Sequence, residues 1–319
     1  MRFTIFTPTY NRAHTLPRLY ESIRRQTLRD FEWVIVDDGS TDGTAQLIHN
    51  WQQAGNDFPI RYFWQPNQHK KVAFNRGVLE ATAPWFVPID SDDELLPDTL
   101  EKFARMWATI PEGEQMRYCA VVGLCVDSQG RIVGDAFPGA PLDADSAALW
   151  FDYRISGEKF SCLRTEALRR FPFPEGIPDL VPENVVWFRM ARVYQQRCFN
   201  EPVRVYHRDV ESITQPRDPR DAKRRRAQGA VLSYAEAIDH LTSRRLLRSP
   251  LRAMFLAVQH GRFGAYLLRG VPRVWPKRWV WRVWAALFSP LGWLVYALDR
   301  WNIPARLRDV LARLGLRFF

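Results

Sequence analysis

Short apolar segments alternate with segments of helical periodicity over residues 2–89, and this alternation constrains the fold more than any other feature of the chain. The apolar segments are RFTIF (2–6), FEWVIV (31–36), IRYFW (60–64) and WFVPI (85–89). Helices are predicted between them, over 15–26, from about residue 44 to Trp51, and over 70–82, because apolar residues recur there at helical spacing. Strands that alternate with helices predict βαβ units, and therefore an α/β fold with a mostly parallel sheet flanked by helices.

The pattern is less regular after residue 96. Helices are predicted over 97–109 and 183–195 and strands over 118–126 and 197–207, whereas residues 127–160 have no clear period. Near residue 215 the composition changes to a basic run followed by sequence rich in Arg, Leu and Trp. We therefore predict a first domain over residues 1–215 and a helical region over residues 216–319.

The chain is strongly basic, because 45 Lys and Arg residues face 35 Asp and Glu residues, a formal net charge of +10. This charge suggests a polyanionic partner or an anionic membrane surface. No recognition motif accompanies the basic run at 217–226, so we interpret that run as a solvated helix start and expect no nucleic-acid partner. Four cysteines without metal-binding spacing, and a strand directly after Met1, predict reduced thiols in a protein that stays inside the cell.

Two acidic loops follow predicted strands. Asp37 and Asp38 end the second strand, and Asp90, Asp92 and Asp93 follow the fourth. The carboxyl ends of parallel strands meet at one edge of a sheet, where ligands of such folds bind. Crowded carboxylates are costly unless positive charge lies among them.

The residue types in these loops leave several interpretations open. The spacing of Asp90 and Asp92 suits Mg²⁺ or Mn²⁺ bound to a diphosphate, but Asp93 and Glu94 could also be solvated acids near a helix N-terminus. The loop after the second strand is typical of a turn, although a carboxylate there could equally accept hydrogen bonds from a base or a ribose.

Four segments in this order and spacing resemble the family 2 glycosyltransferases, which have the nucleotide-sugar-binding GT-A fold. The segments are TPTYNR (7–12), FEWVIVDDGSTDGT (31–44), NQHKKVAFNRG (67–77) and FVPIDSDDELLPDTL (86–100). The resemblance covers roughly residues 1–210. It implies a GT-A domain with a mostly parallel, mixed sheet flanked by helices, and a C-terminal helical appendage. It also implies the activity of a glycosyltransferase that inverts the anomeric centre.

The resemblance also implies which residues form the site. A nucleotide sugar would be bound by Pro8, Tyr10, Asp37, Asp38, Asn67, Lys70, Asn75, Asp90 and Ser91. Asp90 and Asp92 would hold Mg²⁺ or Mn²⁺, and the charge of this ion would offset the repulsion among the crowded carboxylates. His69 stands where the family usually has glycine, so the turn there is expected to differ.

An inverting transfer needs a carboxylate that deprotonates the acceptor hydroxyl. The resemblance places this base at Glu183, with Asn184 where the family often has a second acid; Asp179 is the alternative base. Glu183 could instead only cap a helix beside Pro182. Trp187 and Phe188 are interpreted as core residues rather than a sugar platform. His207 could reach a diphosphate or metal, although a single histidine is more often structural.

The segment at 275–301 is rich in tryptophan and bounded by basic residues, a pattern typical of membrane interfaces. Arg282 and Pro290 interrupt its apolar run, so we expect an in-plane amphipathic helix or a shallow hairpin rather than a spanning helix. The alternative is a helical subdomain packed on the catalytic domain. The membrane interpretation predicts peripheral attachment to anionic lipids on the cytoplasmic face of the inner membrane.

Together these features predict transfer of one sugar, with a UDP-sugar as the expected donor, to a hydroxyl of a growing, lipid-linked cell-surface glycan. The Q-x-x-R-W motif of processive synthases is absent from the sequence. Two other classes stay open: a nucleotide-sugar-binding protein without catalysis, for which Asn184 would be a sign, and a basic nucleic-acid-binding protein.

Overall fold

The computed structural model of the chain describes residues 1–178, 180–207, 219–267 and 271–300. These residues form two compact units. The first unit comprises Met1–Glu175 and a segment that begins at Arg189, and the second comprises Gly176–Phe188 and the C-terminal helices. Residues 176–188, assigned above to the first domain, thus group with the C-terminal helices. The predicted boundary near residue 215 lies outside the described residues.

Nine strands of the described chain form one sheet in the first unit. They are β1 (Phe3–Thr9), β2 (Phe31–Asp37), β3 (Ile60–Trp64), β4 (Trp85–Pro88), β5 (Glu94–Leu95), β6 (Tyr118–Val126), β7 (Leu142–Ala144), β8 (Lys159–Arg164) and β9 (Gln195–Val205). Their order is β3-β2-β1-β4-β8-β6-β9-β5, with β7 beside β9. The predicted α/β class is confirmed.

The helices of the first unit lie between these strands in the chain. They are α1 (Leu16–Arg24), α2 (Thr44–Gln53), α3 (Lys70–Glu80), α4 (Thr99–Ala108), α5 (Ser146–Phe151) and α6 (Thr165–Arg170). All seven residues of β2 are buried, as expected for a strand covered on both faces. Aromatic rings help to fill one side of the sheet, since Tyr20 of α1 stacks on Trp51 of α2 with ring centroids 4.3 Å apart.

The sheet is parallel only in part. Strands β3, β2, β1 and β4 run parallel, and so do β6 and β9, whereas β8 is antiparallel to both β4 and β6. The expected mixed sheet flanked by helices is therefore confirmed. The stretch 127–160, which has no period in the sequence, contains β7 and α5 and the start of β8.

Short strand β5 is antiparallel to the end of β9, with Glu94 opposite Val205 and Leu95 opposite Arg204. This pairing fixes the acidic loop that follows β4, because β5 begins directly after that loop. A two-residue strand is too short to stand out in a sequence, and it was not predicted.

The second unit is helical. It contains the start of α7 (Asn184–Met190), then α8 (Pro219–Ile238), α9 (Ser243–Arg248), α10 (Pro250–Tyr266) and α11 (Trp279–Arg300). Helices α10 and α11 cross closely at glycines, since a Cβ on Gly292 would lie 2.4 Å from the carbonyl oxygen of Val258. Asp299 of α11 is buried and pairs with Arg262 and Lys223, each at 2.7 Å.

Helix α11 continues through Pro290, so the hairpin considered for 275–301 is wrong and a single helix forms instead. Within the described ranges, none of the helices combines the length and the apolar character that crossing a bilayer requires. Residues 219–226 of the basic run form the first turns of α8, as predicted.

Candidate active site

The acidic loop follows β4 at the carboxyl edge of the sheet. The backbone N–H of Asp93 donates to the carbonyl oxygen of Asp90 at 3.2 Å, which closes a tight turn. One carboxylate oxygen from each of Asp90, Asp92 and Asp93 lies within 4.8 Å of the others. Ser91 is buried between the first two aspartates. The turn therefore brings together the carboxylates that the sequence analysis expected to find here.

Protein cations lie against this loop. The ammonium of Lys70 is 2.7 Å from Asp90 Oδ1, and Nε of Arg204 is 3.3 Å from Asp93 Oδ2. Arg18 donates from its guanidinium to the backbone carbonyl of Asp92. Charge repulsion within the loop is thus offset partly by the protein itself.

Arg204 was not identified from the sequence. It projects from β9, is buried with Asp93, and its guanidinium lies 5.2 Å from the ring centroids of Phe160 and Tyr206. Burial opposes ionisation of Arg204, but Asp93 and neighbouring groups outweigh it and raise its pKa. The only signal in the sequence is a charged residue between Val203 and Val205 of an apolar strand.

The carboxylates of the loop differ in their titration. Burial raises the pKa of Asp93 to about 7, with repulsion from Asp90 and Asp92 adding to the effect and Arg204 opposing it. Burial also acts on Asp90, but the ammonium of Lys70 outweighs it and holds the pKa of Asp90 below its usual value. Asp93 is only 1% exposed, so its interpretation as a solvated loop acid is wrong.

The three carboxylates fit a hard divalent cation. Mg²⁺ and Mn²⁺ prefer carboxylate oxygens, and Mg²⁺ usually takes one or two carboxylates together with substrate phosphates. Asp92 is the partly exposed member that no cation of the described residues pairs at its carboxylate. The donor set therefore agrees with the expected metal residues, Asp90 and Asp92, and adds Asp93 as a third carboxylate.

The loop after β2 holds two aspartates in different roles. Both oxygens of Asp37 accept hydrogen bonds, from the backbone N–H of Ser40 at 2.8 Å and from the hydroxyl of Tyr62 at 2.7 Å. Both side-chain bonds of Asp38, from Gln65 and from the backbone N–H of Gln68, go to Oδ1. Asp37 thus shapes the loop, whereas Asp38 keeps Oδ2 to accept from a ligand.

The loop after β1 lies beside the loop after β2. Tyr10 is exposed at the end of β1, next to the half-buried Pro8. Asn11 has a positive φ of 52°; its N–H donates to the Ser40 hydroxyl, and its side chain accepts from the N–H of Thr41, both at 2.8 Å. These bonds place Tyr10 and Asp38 at the same edge of the sheet.

The third segment approaches the same edge through a close contact at Gly39. Gly39 has a φ of 87°, and a Cβ there would lie 2.8 Å from the backbone nitrogen of Asn67. His69 has a positive φ of 71°, in the region that favours glycine. Lys70 then begins α3 and reaches Asp90.

Asn75 differs from the expected ligand contact. Its side-chain nitrogen donates to the carbonyl oxygen of Phe173 at 2.9 Å and to Glu175 at 2.8 Å, and its oxygen accepts from the N–H of Phe173. The amide is therefore used to hold the segment at 173–175. In this structure the Asn75 amide positions residues 173–175 and is not turned to a ligand.

Glu183 lies in the second unit, immediately before α7. It is exposed, and its carbonyl oxygen accepts from the N–H groups of Val186 and Trp187. Asn184 accepts a hydrogen bond from the hydroxyl of Ser233 in α8 at 2.9 Å. Asp179, the alternative base, lies outside the described residues.

Two further predictions concern Trp187 with Phe188 in the second unit and His207 in the first. Phe188 is buried, packs on His240 with ring centroids 5.5 Å apart, and its carbonyl oxygen lies 2.7 Å from His240 Nε2, so its interpretation as a core residue is confirmed; Trp187 is partly buried. The backbone N–H of His207 donates to Asp93 and its ring lies 2.8 Å from Glu94. His207 thus holds the acidic loop in place.

Comparison with known proteins agrees with this geometry. Residues 4–114 match the family described as Glycosyl transferase family 2. The matched region contains β1 to β5 and both acidic loops. The resemblance of this region to the family 2 glycosyltransferases is thus confirmed.

Relatives of the chain include named bacterial enzymes. A GalNAc(5)-diNAcBac-PP-undecaprenol beta-1,3-glucosyltransferase of Campylobacter jejuni is 29% identical over 212 residues, 64% of each chain. A PGL/p-HBAD biosynthesis glycosyltransferase of Mycobacterium tuberculosis is 41% identical over 113 residues, 35% of this chain and 43% of that protein. The chain thus covers less than two thirds of the length of these relatives.

Solved structures share the fold of the chain. Staphylococcus aureus TarS 1–349 in complex with UDP-GlcNAc has a TM-score of 0.60 at 16% identity, over 96% of this chain and 93% of that one. The mannosyltransferase PcManGT from Pyrobaculum calidifontis, in complex with GDP-Man and Mn²⁺, has a TM-score of 0.53 at 20% identity, over 93% and 87%. The expected GT-A fold is confirmed.

Proposed function

We propose that this chain transfers one sugar from a nucleotide-diphosphate sugar to a hydroxyl of a lipid-linked glycan, with inversion at the anomeric carbon. The observation that carries the proposal is the loop after β4, in which three carboxylates approach within 4.8 Å at the edge of the sheet where Asp38 and Tyr10 also lie. Such a cluster suits a metal-bound diphosphate next to a nucleoside.

The donor is bound through its two ends. Asp38 Oδ2 accepts from the base or ribose, and exposed Tyr10 supplies an aromatic face for the base. Lys70 and Ser91 lie at the diphosphate end, beside Asp90. We favour a UDP-sugar, since TarS, which shares the fold, is known in complex with UDP and with UDP-GlcNAc.

Asp90, Asp92 and Asp93 would hold Mg²⁺ or Mn²⁺. When bound, this ion stabilises the negative charge that develops on the departing diphosphate. Around it, Lys70 neutralises part of the charge on Asp90 and Arg204 part of that on Asp93, which keeps the loop compact before any ligand arrives.

Glu183 is the proposed base. A single in-line displacement inverts the anomeric carbon and requires removal of the proton from the acceptor hydroxyl. Glu183 is an exposed carboxylate held at the start of α7, whose neighbour Asn184 is fixed by Ser233. Asp179 is the alternative in the same stretch of chain.

A lipid-linked acceptor is supported by two observations. The C. jejuni relative is named for a substrate on PP-undecaprenol, and the second unit here has a basic, tryptophan-rich helix, α11. We therefore place the enzyme at the cytoplasmic face of the inner membrane, attached peripherally to anionic lipids.

Hydrolysis of the donor in the absence of acceptor tests the proposed reaction. The full chain is incubated with Mn²⁺ and, in turn, UDP-glucose, UDP-galactose and UDP-GlcNAc, and the released sugar is followed by NMR at early times. We expect one α-linked donor to release the β anomer first. Glu183→Gln should slow this release about 10²- to 10⁴-fold, whereas the exposed control Glu112→Gln should not change it.

The same experiment separates the alternatives. First release of the α anomer would contradict inversion. Binding of UDP without hydrolysis of any donor would favour a nucleotide-sugar-binding protein without catalysis. Full activity of Glu183→Gln would remove Glu183 as the base.

A further inference from the structure

Helix α11 has a long apolar face that is exposed. Trp279, Val283 and Leu287 are 73%, 61% and 67% exposed. The face also includes exposed Val280, Pro290, Leu291, Trp293 and Leu294. These positions share one side of the helix, since they recur at intervals of three and four residues. A contiguous apolar surface of this length marks an interaction site.

The opposite side of α11 already packs within the second unit. Trp281, Ala285, Ser289 and Val295 are buried, and Gly292 contacts α10 closely. Trp284 donates from its indole nitrogen to the carbonyl oxygen of Ala253 in α10. The helix therefore has one side fixed by protein and one side that the described residues leave exposed.

The charges around this face indicate what covers it. Lys277, Arg278 and Arg282 are exposed at the N-terminal end of α11, and no acidic residue lies in its first turn. The carboxylate of Asp239 accepts hydrogen bonds from the backbone N–H groups of Lys277 and Arg278, so the backbone at this end of the helix is paired within the protein. The exposed side chains of Lys277, Arg278 and Arg282 add positive charge beside the apolar face, which favours an anionic partner. The single acid of α11, Asp299, is buried in its pairs with Arg262 and Lys223.

We propose that the face of α11 formed by Trp279, Val283, Leu287, Leu291, Trp293 and Leu294 docks on an anionic lipid bilayer. The apolar residues run along the helix, so the helix lies parallel to the bilayer with these side chains at the headgroup boundary. Lys277, Arg278 and Arg282 then contact lipid phosphates. This inference deepens the proposed function, from which it takes only the lipid-linked acceptor. It identifies the surface by which the protein attaches to the membrane.

Co-sedimentation with vesicles tests this surface. The full chain is mixed with vesicles of phosphatidylcholine alone or with one third phosphatidylglycerol. We expect binding to the anionic vesicles that weakens with salt. The double variant Leu287→Glu/Leu294→Glu should reduce binding more than about tenfold, and the matched control Leu79→Glu, also 73% exposed but in α3, should bind as wild type.

The outcomes separate this inference from the proposed function. Equal binding of the double variant and wild type, or no binding of wild type to anionic vesicles, would overturn it. A wild-type dimer in light scattering that the double variant abolishes, without lipid binding, would assign the face to a second copy of the chain instead. Calorimetric titration of UDP onto the same variants reports the donor site independently, so either claim can fail alone.

A second observation concerns Arg12, in the loop after β1. Arg12 is only 9% exposed. Its backbone N–H donates to the Thr44 hydroxyl and its carbonyl accepts from Thr15, but no hydrogen bond or ion pair joins its guanidinium to any residue in the described ranges. A buried cation without a partner is costly, which indicates that an anion completes this site.

The position of Arg12 identifies the anion. Strand β1 is parallel to β4, and the N–H of Ile89 donates to the carbonyl oxygen of Phe6 at 2.8 Å, so the loops after the two strands are neighbours. We infer that Arg12 binds the diphosphate of the nucleotide-sugar donor, an inference that rests on the proposed function.

Binding of UDP and of uridine by Arg12 variants tests this role. In calorimetric titrations with Mn²⁺, Arg12→Gln should weaken UDP binding about 10- to 150-fold and leave uridine binding unchanged, and Arg12→Lys should recover part of the loss. The exposed control Arg131→Gln should match wild type for both ligands.

Two results would overturn the role of Arg12. One is unchanged UDP binding by Arg12→Gln; the other is an equal loss for UDP and uridine, which would make Arg12 a structural residue of the loop. If wild type binds no UDP, the proposed function fails first, and that result is distinct from both.

Discussion

His69 occupies a backbone conformation that side chains rarely adopt. With φ 71° and ψ 155°, it lies in a region used almost only by glycine, where other residues are strained by about 1–3 kcal/mol. Directly after this strained residue α3 begins at Lys70, whose ammonium lies 2.7 Å from Asp90 Oδ1. The strain is therefore located beside the candidate diphosphate site.

Replacing His69 by glycine should relieve this strain. We expect His69→Gly to raise the free energy of unfolding by about 1 kcal/mol, measured by urea denaturation. His49→Gly, in the middle of α2 where φ is ordinary, is the control and should lower it by about 0.5–1 kcal/mol. A lower stability for His69→Gly would show that the imidazole makes contacts worth more than the strain.

Arg204 and Asp93 form a buried ion pair, and removal of one partner leaves the other charge buried. We expect Arg204→Met to lower the free energy of unfolding at pH 8, where Asp93 is ionised, by about 3–5 kcal/mol. The double variant with Asp93→Asn should lose less than the sum of the single variants, by about 1–3 kcal/mol. Additive losses in this double-mutant cycle would mean that the pair is not coupled.

At the scale of elements, α8 holds the stretch that contains Glu183. A Cβ on Gly229 would lie 2.3 Å from the carbonyl oxygen of Leu180 and 3.1 Å from Pro182. The glycine in α8 thus allows backbone contact with the residues just before α7, and Ser233, one turn later, binds Asn184.

Gly229→Ala is a sensitive test of this contact. In a free helix alanine is more favourable than glycine by about 1 kcal/mol, but here we expect the free energy of unfolding to fall by about 1–3 kcal/mol because the backbone must move. Donor hydrolysis should fall with it, since Glu183 shifts. Gly113→Ala, where nothing lies within 4 Å of the added Cβ, is the control; a stabilised Gly229→Ala would show that α8 does not pack on this stretch.

The sequence predicts the strands and helices well where apolar residues follow a clear hydrophobic pattern. Strands β1 to β4 and helices α1 to α3 form within a few residues of the predicted bounds, because buried parallel strands are continuous apolar runs. Strand β5 is too short to have a period, and β7 and α5 form in a stretch whose pairing depends on β9, far along the chain. The antiparallel position of β8 between β4 and β6 could not be predicted for the same reason, since β8 pairs with distant strands.

For the candidate site, the sequence indicates the acidic residues and misses most of their partners. Asp90, Asp92 and Asp38 lie at strand ends, where their position alone suggests a role. Arg204 acts through contacts between distant segments that no local pattern records. Asn75 shows the converse, because a motif position predicted to bind a ligand is used for hydrogen bonds to residues 173–175.

At the scale of the whole molecule, the chain combines a GT-A unit with a helical unit that contains both Glu183 and α11. The donor site described here lies entirely in the first unit, and the lipid-docking face lies entirely in the second. Loss of lipid binding and loss of donor binding should therefore be separable by substitution.

Calorimetric titration of UDP and then GDP, with and without Mn²⁺, measures whether the acidic loop binds the metal-bound diphosphate of a nucleotide sugar. We predict that one nucleotide binds only with Mn²⁺, that Asp92→Ala abolishes this binding, and that the exposed control Asp57→Ala does not. Failure of both nucleotides to bind with Mn²⁺ present, or equal binding by Asp92→Ala and wild type, would show that the acidic loop does not bind a metal-bound diphosphate.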